Sequence, residues 1–460
     1  MSNDRNLTSR FMDFATKVGS QRHLVAIRDG FIALMPLTMA GSIAVLLNVF
    51  FRDIPNTFEM TGFVETMQPL IEINGYVYFG TIAIMALVFA FSLGHSLSTS
   101  YGVNGLSGGL VSVASFIATV PQMFNVNVDL TAADAGVIEA LKGLGLTIES
   151  AEGATHLVAS DWGGLSVNFL GATGLFTALI IGLLSTQIFV WVTKRDLIIK
   201  LPDSVPPAVN KAFAAIVPGT LAIYTVGLIT MIVTKLSGQG INDLISFYIQ
   251  QPLLGLSQGW FSVVLLSFLV QLFWFFGLHG HNVLAPIMDG IYMPALIANT
   301  EAYEATKSTA NLPYLWTRGS FDAYAQLGGS GMTLALLIAI FVFSKREDYR
   351  TIARLSLPMG IFNINEPVTF GIPMVLNPVY IIPWLFVAPI CAGIAYFATA
   401  IGFAPPVFLS IPWITPPVLY AFLATGGSIT AALVAAVNFV VAFLIWAVFV
   451  RSANKIKIEE

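Results

Sequence analysis

Apolar stretches recur along the chain at lengths that suit a membrane. The clearest cover residues 31–51, 76–97, 106–120, 169–192 and 213–234, then 260–278, 281–298, 331–343, 379–401 and 429–450. A helix that crosses the hydrocarbon core needs about 20 mostly apolar residues. The pattern therefore predicts an all-α polytopic membrane protein with about ten apolar helices. Several segments are short or interrupted by glycine and proline, so not all of them need cross fully.

One segment breaks the pattern. Asn363-Ile364-Asn365-Glu366-Pro367 sets a carboxylate between two apolar stretches, and Pro373 and Pro378 follow. Proline lacks a backbone donor and clashes in a helix interior, so this is not a plain spanning helix. A charge at membrane depth costs at least about 2.5–3.5 kcal/mol on lenient insertion scales, so Glu366 is expected to face a cavity, a partner or a substrate. Composition sharpens the contrast. Of 460 residues, 56% are hydrophobic and only 10% are charged, against about 25% charged in soluble domains. Mean hydropathy is +0.80. A soluble enzyme with a large core is a poor second reading, and a net charge of −4 implies no nucleic-acid partner. The single cysteine, Cys391, lies in an apolar run and reads as a small hydrophobe. The polar N-terminus, MSNDRNLTSRFMDF, is not a cleavable signal peptide.

Basic residues supply the topology. Arg5, Arg10, Lys17, Arg22 and Arg28 precede the first span. Lys194, Arg195, Lys200 and Lys211 follow the fourth; Lys345, Arg346, Arg350 and Arg354 follow Phe343; Arg451, Lys455 and Lys457 close the chain. The positive-inside rule places all four clusters, and both termini, in the cytoplasm. The acidic loop 121–162 is expected outside. Residues 9–28 mix apolar and basic positions as an amphipathic surface helix would, and the proline-containing stretch 194–211 reads as a cytoplasmic linker between two halves.

Polar groups able to handle a substrate concentrate after residue 270. Trp274-Phe275-Phe276-Gly277-Leu278-His279-Gly280-His281-Asn282 closes an aromatic helix with two histidines. Trp316-Thr317-Arg318-Gly319-Ser320-Phe321-Asp322 and Leu327-Gly328-Gly329-Ser330-Gly331 form a polar, glycine-rich segment, either an outer loop or a re-entrant hairpin, which is tolerated only where protein or water surrounds it. Glu366, with Asn363 and Asn365, offers acceptors and donors suited to hydroxyl groups, and Trp384, Trp413 and Trp274 are candidates to stack on a sugar ring. His279 and His281 orient poorly for a shared metal, so no metal or other cofactor is expected. No phosphate-cradling loop is present.

These motifs, in their order and spacing, resemble the membrane subunit, enzyme IIC, of the lactose/cellobiose/chitobiose class of the bacterial phosphotransferase system. The resemblance also runs through Arg28-Asp29-Gly30-Phe31, Met35-Pro36 and Tyr101-Gly102-Val103-Asn104-Gly105-Leu106-Ser107 and covers essentially the whole chain. It implies a homodimer of ten spanning helices with two re-entrant hairpins in the bacterial inner membrane. The N-terminal half would be the scaffold and the C-terminal half the substrate domain. The expected division is 1–28 a cytoplasmic segment, 29–193 scaffold and dimerisation helices, 194–211 linker, 212–257 a fifth helix and outer connection, 258–450 the substrate domain and 451–460 a cytoplasmic tail. The implied activity is that of a sugar permease. A β-linked disaccharide is bound outside and translocated, and its 6-hydroxyl is phosphorylated by a phosphocysteine on a separate cytoplasmic IIB partner, itself charged through IIA. The histidine of the Phe-Gly-Leu-His-Gly motif and the glutamate of Asn-Glu-Pro map to His279 and Glu366 as catalytic residues. His281, Asn282, Asn363, Asn365 and Trp384 join them as expected sugar contacts, and His281 is a departure from the family pattern. Cys391 lacks a polar phosphate loop and is not the phosphocysteine. Ten residues follow Val450, so no fused IIB domain is expected. The competing reading is a proton-coupled secondary sugar transporter that uses Glu366.

Overall fold

The structure is a computed structural model that describes residues 17, 20–130, 133–144, 147–151, 154–162, 164–202, 204–372 and 374–454. Most of the expected amphipathic arm before Arg22, and the tail with Lys455 and Lys457, lie outside the described residues. The membrane body is all helical. Among the described residues, seven helical runs are long and apolar enough to cross a membrane, among them Arg22–Thr57, Ala172–Lys194, Pro207–Ser237 and Ile429–Ala453. An eighth span arises if Ile241–Ser257 and Trp260–Phe275, bent by 75° at their junction, count as one. Gly105–Ile117 and Ser330–Phe343 are apolar but shorter. At 1.5 Å per residue they fall short of a roughly 30 Å core, which is why ten apolar segments do not yield ten full spans.

Local chemistry sets the breaks. Pro36 stands at the start of the helix Met35–Asn48 and separates it from Arg22–Ala33. Asn104 caps Gly105–Ile117 by accepting the Ser107 N–H at 3.4 Å. That helix meets Met85–Ser100 through small residues. A Cβ placed on Gly108 would lie 1.8 Å from Ser98 Oγ, so glycine there lets the two backbones approach.

Two departures from the sequence reading stand out. Thr61–Phe79, which carries Glu65, Gln68, Glu72 and Asn74, is a helix of which only the last turn falls in the predicted apolar stretch 76–97. Buried Asn74 donates to Asn48 Oδ1 at 2.8 Å and fastens this helix to Met35–Asn48. The acidic loop holds a small antiparallel sheet of Met123–Asp129, Thr147–Ala151 and Ala154–Trp162, with the last strand in the middle. The alternation in Met-Phe-Asn-Val-Asn-Val-Asp has the period of a strand, a signal that the acidic composition had masked.

Two main cores form. One gathers Phe31, Met85, Phe89, Leu93 and Phe116. The other gathers Trp316, Trp384, Trp446, Tyr380 and Phe408, together with Val45 and Val49. The run Arg22–Thr57 therefore contributes to both. Buried Asn438 supplies polar glue by donating to the carbonyls of Tyr324 and Cys391 at 3.0 and 2.8 Å. Cys391 itself is fully buried. Large apolar side chains such as Leu236 and Tyr224 point outward, as a surface solvated by lipid permits.

Candidate functional site

A glycine turn supports the site. Gly328 and Gly329 both have φ of +90°, and Gly331 has +72°, conformations that L side chains adopt only under strain. Close approach demands glycine as well. A Cβ on Gly329 would lie 2.6 Å from the Asn363 carbonyl oxygen and 2.7 Å from Asn365 Oδ1, and one on Gly331 would lie 2.8 Å from the Trp384 ring. The turn and the Asn363–Pro367 segment are thus pressed together.

Hydrogen bonds join them. Asn363 Oδ1 accepts the Gly328 N–H at 2.7 Å, and its amide donates to the carbonyls of Trp413 and Thr415 at 2.7 and 2.8 Å. Asn363 itself adopts φ of +63°, a left-handed conformation that asparagine tolerates. Asn365 is buried. Its Oδ1 accepts the Ser330 N–H at 3.3 Å, and its Nδ2 donates to Thr369 Oγ1 at 3.0 Å. Glu366 opens the short helix Glu366–Gly371 with Pro367 next to it. The two asparagines hold the loops while the carboxylate stays half exposed.

His279 comes to the same place from another element. It caps the helix Gly280–Ile287, its Nδ1 accepting the Asn282 N–H at 3.3 Å. A nitrogen that accepts carries no proton, so the neutral ring bears its proton on Nε2. That nitrogen lies 3.9 Å from Glu366 Oε1, and both side chains are a little over 40% exposed. The separation is too long for a direct hydrogen bond, so each group is free to bond a hydroxyl. The ring rests against Trp274, with centroids 4.5 Å apart. His281 shares a 3.3 Å hydrogen bond between Nδ1 and Ser330 Oγ, which ties the histidine loop to the glycine turn, and its buried Nε2 has no hydrogen-bond partner among the described residues.

Beside this pair lies a cavity of about 180 Å³, lined in part by His281, Asn282, Asp289, Arg318, Asp322 and Trp413. Arg318 Nε meets Asp289 Oδ1 and its NH1 meets Asp322 Oδ2, each at 2.9 Å, and all three side chains are less than 20% exposed. Three largely buried charges in one wall are tolerated because they pair and hydrogen-bond. The sequence reading noted the polar segment holding Arg318 and Asp322 but passed over Asp289. Its signal was a lone carboxylate inside the apolar stretch 281–298. Among the described residues no three His, Cys, Asp or Glu side chains gather to hold a metal ion.

The profile described as "Phosphotransferase system, EIIC" matches residues 28–388. The chain belongs to the EIIC family of the phosphotransferase system. It is 41% identical to the "PTS system cellobiose-specific EIIC component" of Lactococcus lactis subsp. lactis (strain IL1403), over 96% of each chain. It is 32% identical to the "Lichenan permease IIC component" of Bacillus subtilis (strain 168), over 99% of this chain and 94% of that one. Among solved structures, it is similar to the transporter ChbC, the IIC component from the N,N'-diacetylchitobiose-specific phosphotransferase system. The TM-score is 0.84 at 31% identity, covering 98% of this chain and 97% of that one. The protein is thus a multi-pass sugar permease of the lactose/cellobiose/chitobiose type, whose system implies IIA and IIB partners.

Within this EIIC permease the fold brings His279, His281, Asn282 and Glu366 to one region, 87 residues of sequence separating His279 from Glu366. Asn363 and Asn365 come with them, but their amides are engaged on protein groups. Trp384 departs from the expected stacking role. It is 1% exposed, its Nε1 donates to the Gln271 carbonyl at 3.2 Å, and its ring backs Gly331. Both faces are covered by protein, because the close-packed glycine turn needs a broad, flat wall behind it. Trp274 is likewise buried, whereas Trp413 is 46% exposed and faces the cavity.

Proposed function

We propose that this EIIC permease binds a β-linked disaccharide with its 6-hydroxyl between His279 Nε2 and Glu366, and presents that hydroxyl to the phosphocysteine of IIB. The observation that carries the reading is the 3.9 Å separation of His279 Nε2 and Glu366 Oε1, too long for a direct hydrogen bond and with both side chains partly exposed. In the transfer, the 6-oxygen attacks phosphorus, the S–P bond to IIB breaks, an O–P bond forms, and the hydroxyl proton passes to Glu366 as general base. His279 Nε2–H orients the same oxygen. Phosphorylation then traps the sugar by charge. Relatives named for cellobiose, lichenan and N,N'-diacetylchitobiose support a disaccharide of this linkage. The cavity beside the pair suits the second ring, with Asn282 and His281 Nε2 offering polar contacts and Trp413 an exposed ring face. Asn363, Asn365 and Trp384 act as positioning residues behind the sugar.

We place the four basic clusters and both termini in the cytoplasm of a bacterial cell, by the positive-inside rule. We assign residues 29–193 to a scaffold that also forms a homodimer, and residues 258–450 to the part that carries sugar. The deciding experiment supplies labelled cellobiose to vesicles with and without phosphorylated IIB. Sugar phosphate formed only with phosphorylated IIB is the expected result. Accumulation of free sugar driven by a proton gradient, with no phosphate ester, refutes this mechanism in favour of proton-coupled transport.

A further inference from the structure

A second cavity, of about 690 Å³, opens elsewhere in the protein, with Thr309, Phe403, Gly426 and Ser428 in its wall. Four chain segments run from the sugar-site cavity to this one. Met35 lines the first and Ile54, on the same helical run, lines the second. In the same sense Leu296 leads to Thr309, Ser410 leads back to Pro406, and Tyr420 leads to Thr425. These four segments pass between the two cavities. Helix Ile429–Ala453 begins beside the larger cavity and ends at its basic residue Arg451. The larger cavity is thus at the opposite end of this helix from Arg451, and of the run Arg22–Thr57 from Arg22.

Two of the four segments, 296–309 and 406–410, each bring one aromatic side chain, Tyr303 and Phe408, between their cavity-lining residues. Tyr303 and Phe408, both buried, stack with centroids 4.3 Å apart and planes 23° from parallel. Phe408 is pinned by its backbone: its N–H donates to the Ala424 carbonyl at 3.1 Å, and its own carbonyl accepts from Thr300 Oγ1. Gly426, at φ of +68°, makes room for the ring, since a Cβ there would lie 2.8 Å from Phe408 Cζ. Tyr303 is held by charge. Its hydroxyl donates to Asp53 Oδ2 at 2.8 Å, and Asp53 pairs with Arg52 at 2.6 Å. Arg52 lies 3.7 Å from Glu304, which also pairs with Lys307. Arg52 and Asp53 sit on the π-helical turn Val49–Asp53, a geometry found often at functional sites. The network links the first membrane helix to the far end of the helical run that begins just after His279.

We infer that Tyr303 and Phe408 form a plug between an outward sugar-access cavity and the sugar site, latched shut by Arg52, Asp53 and Glu304. Admitting a disaccharide from outside requires Tyr303 to leave Asp53. The outer cavity has the size usual for small-ligand sites, about 300–1,000 Å³. This inference rests on the orientation proposed above.

The test uses the full-length permease carrying Cys391→Ala, in right-side-out vesicles treated with a membrane-impermeant maleimide. One reporter, Ala310→Cys, lines the outer cavity, and the other, Ser410→Cys, lines the sugar-site cavity. Ala310→Cys is expected to label rapidly from outside and Ser410→Cys slowly. Adding Tyr303→Phe removes one hydrogen bond to a charged partner and should speed Ser410→Cys labelling by about tenfold or more. Phe408→Ala should do the same by removing the ring. Unchanged Ser410→Cys labelling in both variants overturns the plug. So does new labelling of native Cys391 in a Tyr303→Phe protein that retains it, because that reports general loosening. Labelling of Ala310→Cys only from the cytoplasmic side overturns the orientation and, with it, the access role.

Discussion

Gly329→Ala is the most informative single perturbation of the proposed sugar site. At φ of +90° and ψ of −166°, Gly329 occupies a region essentially reserved for glycine, and holding alanine there costs about 1–3 kcal/mol. The new Cβ would lie 2.6 Å from the Asn363 carbonyl oxygen and 2.7 Å from Asn365 Oδ1. Neither atom yields easily. The Asn363 side chain is fixed by three hydrogen bonds, and Asn365 is tied to Ser330 and Thr369. Overpacking of this kind typically costs a further 1–3 kcal/mol or so, which makes the whole penalty about 2–6 kcal/mol. The cheapest relief is for the 363–367 segment to move away, taking Glu366 from His279. At about 1.4 kcal/mol per factor of ten, even the low end predicts cellobiose binding weakened by roughly 30-fold. Titration calorimetry on the purified permease measures this directly. Gly75→Ala is the control, since a Cβ there meets nothing within 4 Å. Wild-type affinity and an unchanged unfolding midpoint in Gly329→Ala would refute the argument that the turn braces the carboxylate.

Three further outcomes are expected. Glu366→Gln keeps the shape of the side chain but removes the base, so kcat for IIB-dependent sugar phosphorylation should fall by about 10²–10⁴-fold, while size-exclusion behaviour stays that of the parent; turnover within a few-fold of wild type removes Glu366 from proton transfer. Trp384→Phe retains a ring behind Gly331 but leaves the Gln271 carbonyl without its donor, so thermal melts should show a loss of about 1–3 kcal/mol with cellobiose affinity nearly unchanged; a large affinity loss without destabilisation would restore a direct sugar contact. Arg318→Leu leaves Asp289 and Asp322 buried without their cation and should destabilise by about 3–5 kcal/mol, read as a lowered midpoint in detergent; a wild-type midpoint would show that the triad is well solvated.

The chain's own order of residues was enough to establish several features. The charge deficit and the apolar runs determine a helical membrane protein, because only structures that satisfy their backbone internally can cross lipid. Glu366 stands out as a candidate because a carboxylate between apolar stretches is costly anywhere but a cavity or partner, and His279 because its motif closes an aromatic helix; the fold brings the two to 3.9 Å. Tertiary structure decided the rest. Asn363 and Asn365 looked like sugar ligands, yet their amides hold the glycine turn, since hydrogen-bond partners 35 and 50 residues away leave no local trace. Trp384 is buried and Trp413 exposed although both are tryptophans in apolar surroundings. In a membrane protein both lipid and protein accept apolar side chains, so the pattern does not show which of them turn inward. The same ambiguity hid Asp289 until Arg318 and Asp322 were seen beside it, because those three residues come together only in the fold.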